Sequence, residues 1–76
     1  MENYKELISI NPNIRFGRPC ITGTRISVYD VLGWLGRDMS FDDIIEDFPE
    51  LTKEQILACL QYTAAKGENS KIIISA

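Results

Sequence analysis

Residues 52–66, TKEQILACLQYTAAK, decide the fold class because they carry a full set of signals for one amphipathic helix. Thr52 and Gln55 have the spacing of a capping box, in which each side chain accepts a hydrogen bond from the other residue's backbone N–H. Leu51 and Ile56 are placed to form the hydrophobic staple that accompanies such a cap. We expect the helix to end at Gly67 and to bury one stripe of side chains. That stripe comprises Ile56, Cys59, Leu60 and Thr63.

Two further helices are predicted upstream, each capped by a serine with an aspartate three residues later. The first follows Ser27 and ends at Gly36. The second follows Ser40 and is closed by Pro49, which disfavours helical geometry in the residue before it. A tight connection joins the second helix to the third, which is the outline of a helix-turn-helix. The predicted fold is mainly α, with a trihelical helix-turn-helix core over residues 27–66.

Short β structure is predicted on both sides of this core. Residues 7–26 contain three brief β-prone runs separated by turn signals, and we expect at least one hairpin there. Residues 67–76 form a tail with a polar break followed by a C-terminal strand rich in isoleucine. An exposed run of isoleucines promotes aggregation, so this strand should pair with the N-terminal strand, a second subunit or a partner protein. The whole chain, residues 1–76, is predicted to be a single domain.

The composition limits the chemistry that the chain can perform. It has 76 residues, no histidine and only two cysteines, so a zinc site is disfavoured and no cofactor is expected. A core this small usually needs further stabilisation, and a homodimer is the expected source. The sequence shows neither an export signal nor an apolar run long enough to span a membrane. We therefore expect a cytoplasmic protein without membrane contact, in which Cys20 and Cys59 are reduced thiols.

The net charge of −3 is unevenly distributed. Residues 1–37 hold five basic and three acidic residues, which gives +2. Residues 38–76 hold three basic and eight acidic residues, which gives −5. A polyanion would therefore meet the N-terminal half of the chain, whereas the helical half would repel it.

No pattern of catalytic residues is present in the sequence. The glycines at positions 17 and 23 are separated by five residues, and no lysine follows the second, so the segment does not match a phosphate-binding loop. The carboxylates of the second predicted helix are expected on its solvated face. No serine or cysteine has a nearby histidine that could activate it. We therefore expect that the protein is not an enzyme.

Several side chains are candidates for contact with DNA, because arginine, lysine and glutamine bind phosphates and base edges. Arg25 has an alternative role in an internal ion pair with a carboxylate such as Asp30 or Asp47. The acidic Glu54 weakens the assignment for the third helix, so DNA binding is expected only from a dimer. The candidate DNA-contact residues are Arg15, Arg18, Arg25, Lys53 and Gln61.

Other side chains are candidates for a protein interface. Leu57 and Tyr62 are expected on the outward side of the third helix, where they suit a protein surface as well as DNA. Trp34 lies just off the apolar stripe of the first helix, so it has the alternative role of partly buried packing. The final strand is the remaining candidate, through addition to the sheet of a partner or second subunit. Its interface residues are Ile72, Ile73 and Ile74.

The segment 17–28, GRPCITGTRISV, resembles the signature of domain-of-unknown-function family 433, a group of small bacterial and archaeal proteins. The resemblance continues through residues 39–52 and 56–62 and covers roughly residues 8–66. It implies a homeodomain-like or winged-helix-like helix-turn-helix. It also implies an antitoxin role beside a PIN-like nuclease toxin encoded next to it. The resemblance supplies no catalytic residues.

Together these observations favour a non-enzymatic, antitoxin-like protein that is dimeric, neutralises a PIN-like nuclease toxin and binds its own operator DNA. Two alternatives remain at this stage. One is a DNA-binding transcriptional regulator without a toxin partner, and the other is a protein-interaction module of unrelated role.

Overall fold

The computed structural model describes residues 4–70, with side chains described as far as residue 67. A short helix α1 (Tyr4–Leu7) leads into strand β1 (Ile8–Ile10), and β2 (Pro19–Ile21) follows an eight-residue loop. The three longer helices come next. They are α2 (Val28–Gly36), α3 (Phe41–Asp47) and α4 (Lys53–Ser70). The expected fold class is confirmed, namely a mainly α domain with an N-terminal antiparallel hairpin.

The hairpin pairs β1 with β2 in antiparallel register, with Ile8 opposite Ile21 and Ile10 opposite Pro19. Ile8 and Ile21 face the core, whereas Ile10 is exposed near the loop. The middle one of the three predicted β-prone runs, residues 14–16, does not form a strand, because Arg15, Phe16 and Gly17 all have positive φ and turn the chain.

All three predicted capping boxes are present. In α2, the Ser27 hydroxyl accepts a hydrogen bond from the Asp30 N–H at 3.0 Å, and the Asp30 carboxylate accepts one from the Ser27 N–H at 3.1 Å. The same reciprocal pair starts α3 at Ser40. At the start of α4 the pair is formed by Thr52 and Gln55. Each box provides acceptors for helix N–H groups that would otherwise lack them, so local sequence fixes where the helices begin.

The ends of the helices depart from the prediction in one case. Helix α2 does end at Gly36, but the left-handed residue that redirects the chain is Asp38, with a φ of 70°. The predicted end of α4 at Gly67 is wrong, because the helix continues to Ser70. Glycine ends a helix when it adopts a left-handed conformation, and Gly67 is absent from the positive-φ residues. It remains inside the helix.

The core lies where α4 packs against α1, α2, α3 and the hairpin. Ile56 and Cys59 of the predicted α4 stripe are fully buried, but Leu60 and Thr63 are exposed. Apolar residues occupy every position from 56 to 60, so the helical period alone does not determine which of them faces inward. The helix is rotated so that Ala58 is buried. The buried apolar residues are Ile8, Cys20, Ile21, Val28, Val31, Ile44, Leu51, Ile56, Ala58 and Cys59.

Helices α2 and α3 are joined by an aromatic contact as well as by the chain. The rings of Trp34 and Phe48 are stacked, with centroids 4.4 Å apart and planes inclined by 15°. Both side chains are half-buried and pack against the core. Phe48 follows the last residue of α3 with a non-helical backbone, because the following Pro49 disfavours the helical conformation, and its ring stacks on Trp34 from there.

No helix within residues 4–70 combines the length and the apolar character needed to cross a membrane. The predicted C-terminal strand, with Ile72, Ile73 and Ile74, lies outside the described residues.

Replacing Gly67 with alanine should stabilise the protein. The site is helical, and an added methyl group would meet no atom within 4 Å. Alanine also restricts the unfolded chain, so we expect the free energy of unfolding to rise by about 0.5 kcal/mol. Urea denaturation monitored by circular dichroism measures the change. A fall in stability would show that Gly67 does end the helix.

Gly23→Ala is the matched control for this substitution. Gly23 also has open space around it, but its φ is +85°, a conformation that alanine adopts only with strain. The same chemical change should therefore lower the free energy of unfolding by about 1 kcal/mol or more.

Candidate functional site

The loop of the hairpin is held against α2 by one arginine. The Arg15 guanidinium lies 3.0 Å from the Asp30 carboxylate and donates a second hydrogen bond to the Arg25 carbonyl at 2.9 Å. Asp30 is the same residue that completes the α2 capping box. One carboxylate therefore fixes both the start of the helix and the position of the loop.

The surroundings of Asp30 favour its ionised form. Partial burial raises the pKa of this carboxyl, but hydrogen bonds from the Ser27 backbone and from Arg15, with the positive charge of Arg15, lower it by more. The pKa therefore lies below its usual value of 3.8. Arg15 and Asp30 are each about one-third exposed, so solvent weakens their attraction but does not abolish it.

The most exposed large apolar side chain on the described surface belongs to Phe16. Its exposed fraction is 99%, and its backbone is left-handed, with a φ of 58°. Arg15 and Gly17 on either side also have positive φ, at 51° and 82°. A left-handed conformation is unfavourable for a bulky residue such as phenylalanine. The loop thus holds an aromatic ring in solvent on a strained backbone.

Two of the candidate DNA-contact arginines in the region of this turn are exposed. Arg18 follows the turn, and its N–H donates to the Arg15 carbonyl at 3.1 Å. The Arg25 side chain is also exposed, and the ion pair with Asp30 that we considered for it is made by Arg15 instead. Arg15 is therefore committed to an internal contact, while Arg18 and Arg25 remain accessible.

The outward face of α4 carries a mixed apolar and polar surface. Leu57 is 39% exposed and Leu60 is 36% exposed. Lys53, Gln61 and Ala64 are exposed as well. Residues spaced by three, four or seven positions share one side of a helix, so these five side chains form a single face. We call this set of residues, 53, 57, 60, 61 and 64, the α4 face.

Trp34 has the partly buried packing role that the sequence indicated, whereas Tyr62, which was expected on the outward side of α4, is less exposed than predicted. Trp34 is half-buried in its stack with Phe48, and Tyr62 is half-buried against the core. The Lys66 Nζ lies 5.9 Å from the centre of the Tyr62 ring, within the range of a cation–π contact. Both aromatic side chains therefore pack against other residues of the fold with at least one face of the ring.

An open groove of about 440 Å³ lies between the start of α3 and the start of α4. Phe41 and Ile45 provide apolar walls, and Asp42 and Lys53 provide charges of opposite sign.

Burial raises the pKa of the Cys59 thiol to about 12, so this thiol stays protonated and is a poor nucleophile. Within residues 4–67, no group of three metal-ligating side chains converges.

The structure thus groups the candidate residues on two surfaces. Arg18 and Arg25 lie beside the hairpin loop, and Lys53, Leu57 and Gln61 lie on the α4 face. Phe16 and Leu60 were missed by the sequence reasoning. Neither phenylalanine nor arginine is typical of a left-handed turn, so no local signal marks Phe16. Leu60 was missed because the rotation of α4 was not determined by its sequence.

The profile of a protein family of unknown function, DUF433, matches residues 8–63 of the chain. The chain belongs to the DUF433 family. A crystal structure of a DUF433 member protein from Anabaena variabilis ATCC 29413 superposes with a TM-score of 0.77 at 25% sequence identity. That superposition covers 86% of this chain and 64% of the other. Most of the fold described above is therefore shared with a solved DUF433 structure.

A curated relative is the uncharacterized protein y4eO of Sinorhizobium fredii (strain NBRC 101917 / NGR234). It is 33% identical over 61 residues, which are 80% of this chain and 28% of the relative. The chain therefore spans less than a third of that relative and just under two thirds of the Anabaena protein. The DUF433 fold in this chain corresponds to one part of each of those proteins.

The Arg15–Asp30 contact predicts a specific pH dependence of stability. The pKa of Asp30 is lower in the folded protein than in the unfolded chain. The ionised carboxylate therefore stabilises the fold at pH values above the unfolded-state pKa, and this stabilisation is lost as the pH falls through the folded-state pKa. Asp30→Asn should lower stability near neutral pH and flatten the loss of stability below about pH 5. Urea titrations at several pH values measure both effects.

Asp43→Asn is the matched control, because Asp43 has the same capping geometry without an arginine partner. If both variants change the pH dependence of the unfolding free energy equally, the ion pair between Asp30 and Arg15 does not contribute to that dependence.

Proposed function

We propose that this DUF433 protein is a non-enzymatic, antitoxin-like protein of the cytoplasm that binds and neutralises a PIN-like nuclease. The observation that supports this proposal best is the apolar content of the α4 face. Leu57 and Leu60 are both more than one-third exposed at the centre of the helix that follows the turn. Full burial of a leucine contributes roughly 1.5–3 kcal/mol, so a partner that covers these side chains gains affinity from them.

The spacing on this face suits a groove in another protein. Leu57, Leu60 and Ala64 follow the i, i+3, i+7 pattern by which one helix inserts its apolar side chains into a partner's groove. Alanine at position 64 is small, so it lets a second backbone approach closely. A helix that reads DNA would instead present arginine, lysine, asparagine or glutamine at these central positions.

The charge near α4 also favours a protein partner over duplex DNA. Exposed carboxylates of α3 and the start of α4 lie on the helical half of the chain, which has a net charge of −5. They include Asp42, Asp43, Glu46, Asp47 and Glu54. Phosphates approaching α4 would be repelled by these groups, whereas a protein surface with basic residues around an apolar groove would be attracted.

The choice of a nuclease as partner rests on the DUF433 resemblance, and the dimeric state rests on the size of the core. A second copy of the chain could cover the same leucines, so neutralisation and self-association would compete for one face. Light scattering of the protein alone and mixed with the nuclease distinguishes a homodimer from a heteromeric complex.

Replacing both leucines with lysine should abolish neutralisation. We expect Leu57→Lys/Leu60→Lys to lose rescue of cells that express the PIN-like nuclease encoded beside it, and to lose co-purification with that nuclease. Because both side chains are partly exposed, the variant should remain folded, which circular dichroism checks. A doubly substituted protein that still rescues growth would exclude the α4 face as the toxin-binding surface.

Glu54→Lys is the control for the added charge. It changes the net charge by the same two positive units as the double substitution, but it removes no apolar surface from α4. Because Glu54 belongs to the acidic surface beside the α4 face, this variant should weaken rescue and co-purification, but by much less than the double substitution.

A second candidate function is binding of operator DNA, which is favoured by the exposure of Lys53 and Gln61 on α4 and of Arg18 on the hairpin.

We expect the protein to bind, at low salt, a DNA duplex taken from the promoter region of its own gene. Arg18→Ala/Lys53→Ala should weaken binding and reduce the slope of log affinity against log salt by about 2. Absence of a gel shift at low salt would exclude this function without affecting the toxin proposal.

A further inference from the structure

The hairpin loop carries a second exposed surface, which the proposed toxin binding by α4 does not use. We propose that Phe16, with Arg18 and Arg25, forms a binding site for single-stranded nucleic acid. Phe16 provides a face on which one unpaired base stacks, and the two arginines contact the adjacent phosphates. We call these three residues the loop site. This inference is independent of the proposed toxin binding, and the comparison with duplex DNA below separates it from operator binding, which would also use Arg18.

Exposure is the first argument for the loop site. At 99% exposure the Phe16 ring contributes no burial to the fold, and both of its faces are open to a ligand. Single-stranded nucleic acids bind proteins mainly by stacking bases on such aromatic side chains beside basic residues. Stacking does not depend on the base, because every base has a π face.

The backbone supplies the second argument. Phe16 has a φ of 58° in a run of three left-handed residues, which any L-residue with a Cβ adopts at a cost. Such local strain is tolerated where a function requires it. The Arg15 guanidinium holds the strained segment to the Asp30 carboxylate and the Arg25 carbonyl. The ring is therefore presented from a fixed support.

Charge supplies the third argument and selects the class of partner. Asp30 pairs with Arg15. Arg18 follows Phe16 by two residues, and the Arg25 carbonyl accepts a hydrogen bond from Arg15, so the loop region carries two exposed cationic side chains besides Arg15. The first 37 residues also have a net charge of +2. A cationic surface with an exposed aromatic ring matches a polyanion with unpaired bases. Bases in an intact duplex are already stacked on each other and are not available to the ring.

The test measures binding of the whole chain to fluorescein-labelled oligo(U) and oligo(dT) strands of about 12 nucleotides, a length within the range of known single-strand sites. A mixed-sequence duplex of the same length is the comparison. Fluorescence anisotropy at low salt should show binding of the single strands that is tighter than binding of the duplex. The affinity should fall as salt increases.

Substitutions at Phe16 separate stacking from general apolar contact. Phe16→Leu keeps an apolar side chain but removes the π face, so we expect roughly tenfold weaker binding. Phe16→Tyr keeps the aromatic ring and should bind nearly as tightly as the wild type. Equal affinities of the Leu and Tyr variants for oligo(U) would overturn the proposal, because stacking would then contribute nothing.

Phe16→Gly separates function from folding. Glycine adopts a positive φ without a Cβ penalty, so the thermal unfolding midpoint should be no lower than that of the wild type, while oligo(U) binding falls. A lower unfolding midpoint would mean that Phe16 has a structural role and would count against the loop site.

One outcome would assign the loop to another class of partner. If neither strand binds at low salt, the proposal is wrong. If Phe16→Leu then also abolishes neutralisation of the nuclease, the loop contacts an acidic protein surface instead. The α4 variants do not alter the loop, so Leu57→Lys/Leu60→Lys should bind oligo(U) at least as tightly as the wild type. Failure of the toxin proposal would therefore leave this test unaffected.

Discussion

The Asp30 carboxylate is the point on which two parts of the structure depend. It accepts the Ser27 N–H that completes the α2 cap, and it accepts the Arg15 guanidinium that anchors the hairpin loop. Ser27 is fully buried, and its backbone also bridges Cys20 of the hairpin. The start of the helical bundle and the position of the loop are therefore coupled through residues that are close in space and far apart in sequence.

The sequence predicted those features that are determined within a few residues. Serine or threonine with an acidic or amide partner three residues later located the start of every long helix, because a capping box is a local arrangement. The rotation of α4 could not be predicted, because apolar residues occupy positions 56 to 60 without interruption and tertiary packing selects among them. Gly67 was misjudged for a related reason, since glycine is permitted in a helix as well as at its end.

The candidate surfaces were predictable to different degrees. Lys53, Leu57 and Gln61 were placed on the outward side of α4 from helical spacing alone, and they lie there. The β-prone pattern of residues 14–16 predicts a strand, and a strand gives no reason to expect full exposure of Phe16. Its exposure depends on three consecutive left-handed residues and on a contact between Arg15 and Asp30, fifteen positions apart. Such a long-range contact has no signature in the local sequence.

The stack of Trp34 on Phe48 gives the protein a built-in optical reporter. The chain contains one tryptophan, so its tryptophan emission, excited selectively over the three tyrosines, arises entirely at the junction of α2 and α3. A change in emission therefore reports loosening of that junction, whereas the far-ultraviolet ellipticity averages over all helices. Comparison of the two signals during denaturation distinguishes separation of α3 from α2 from unfolding of the whole bundle, and it requires no added label.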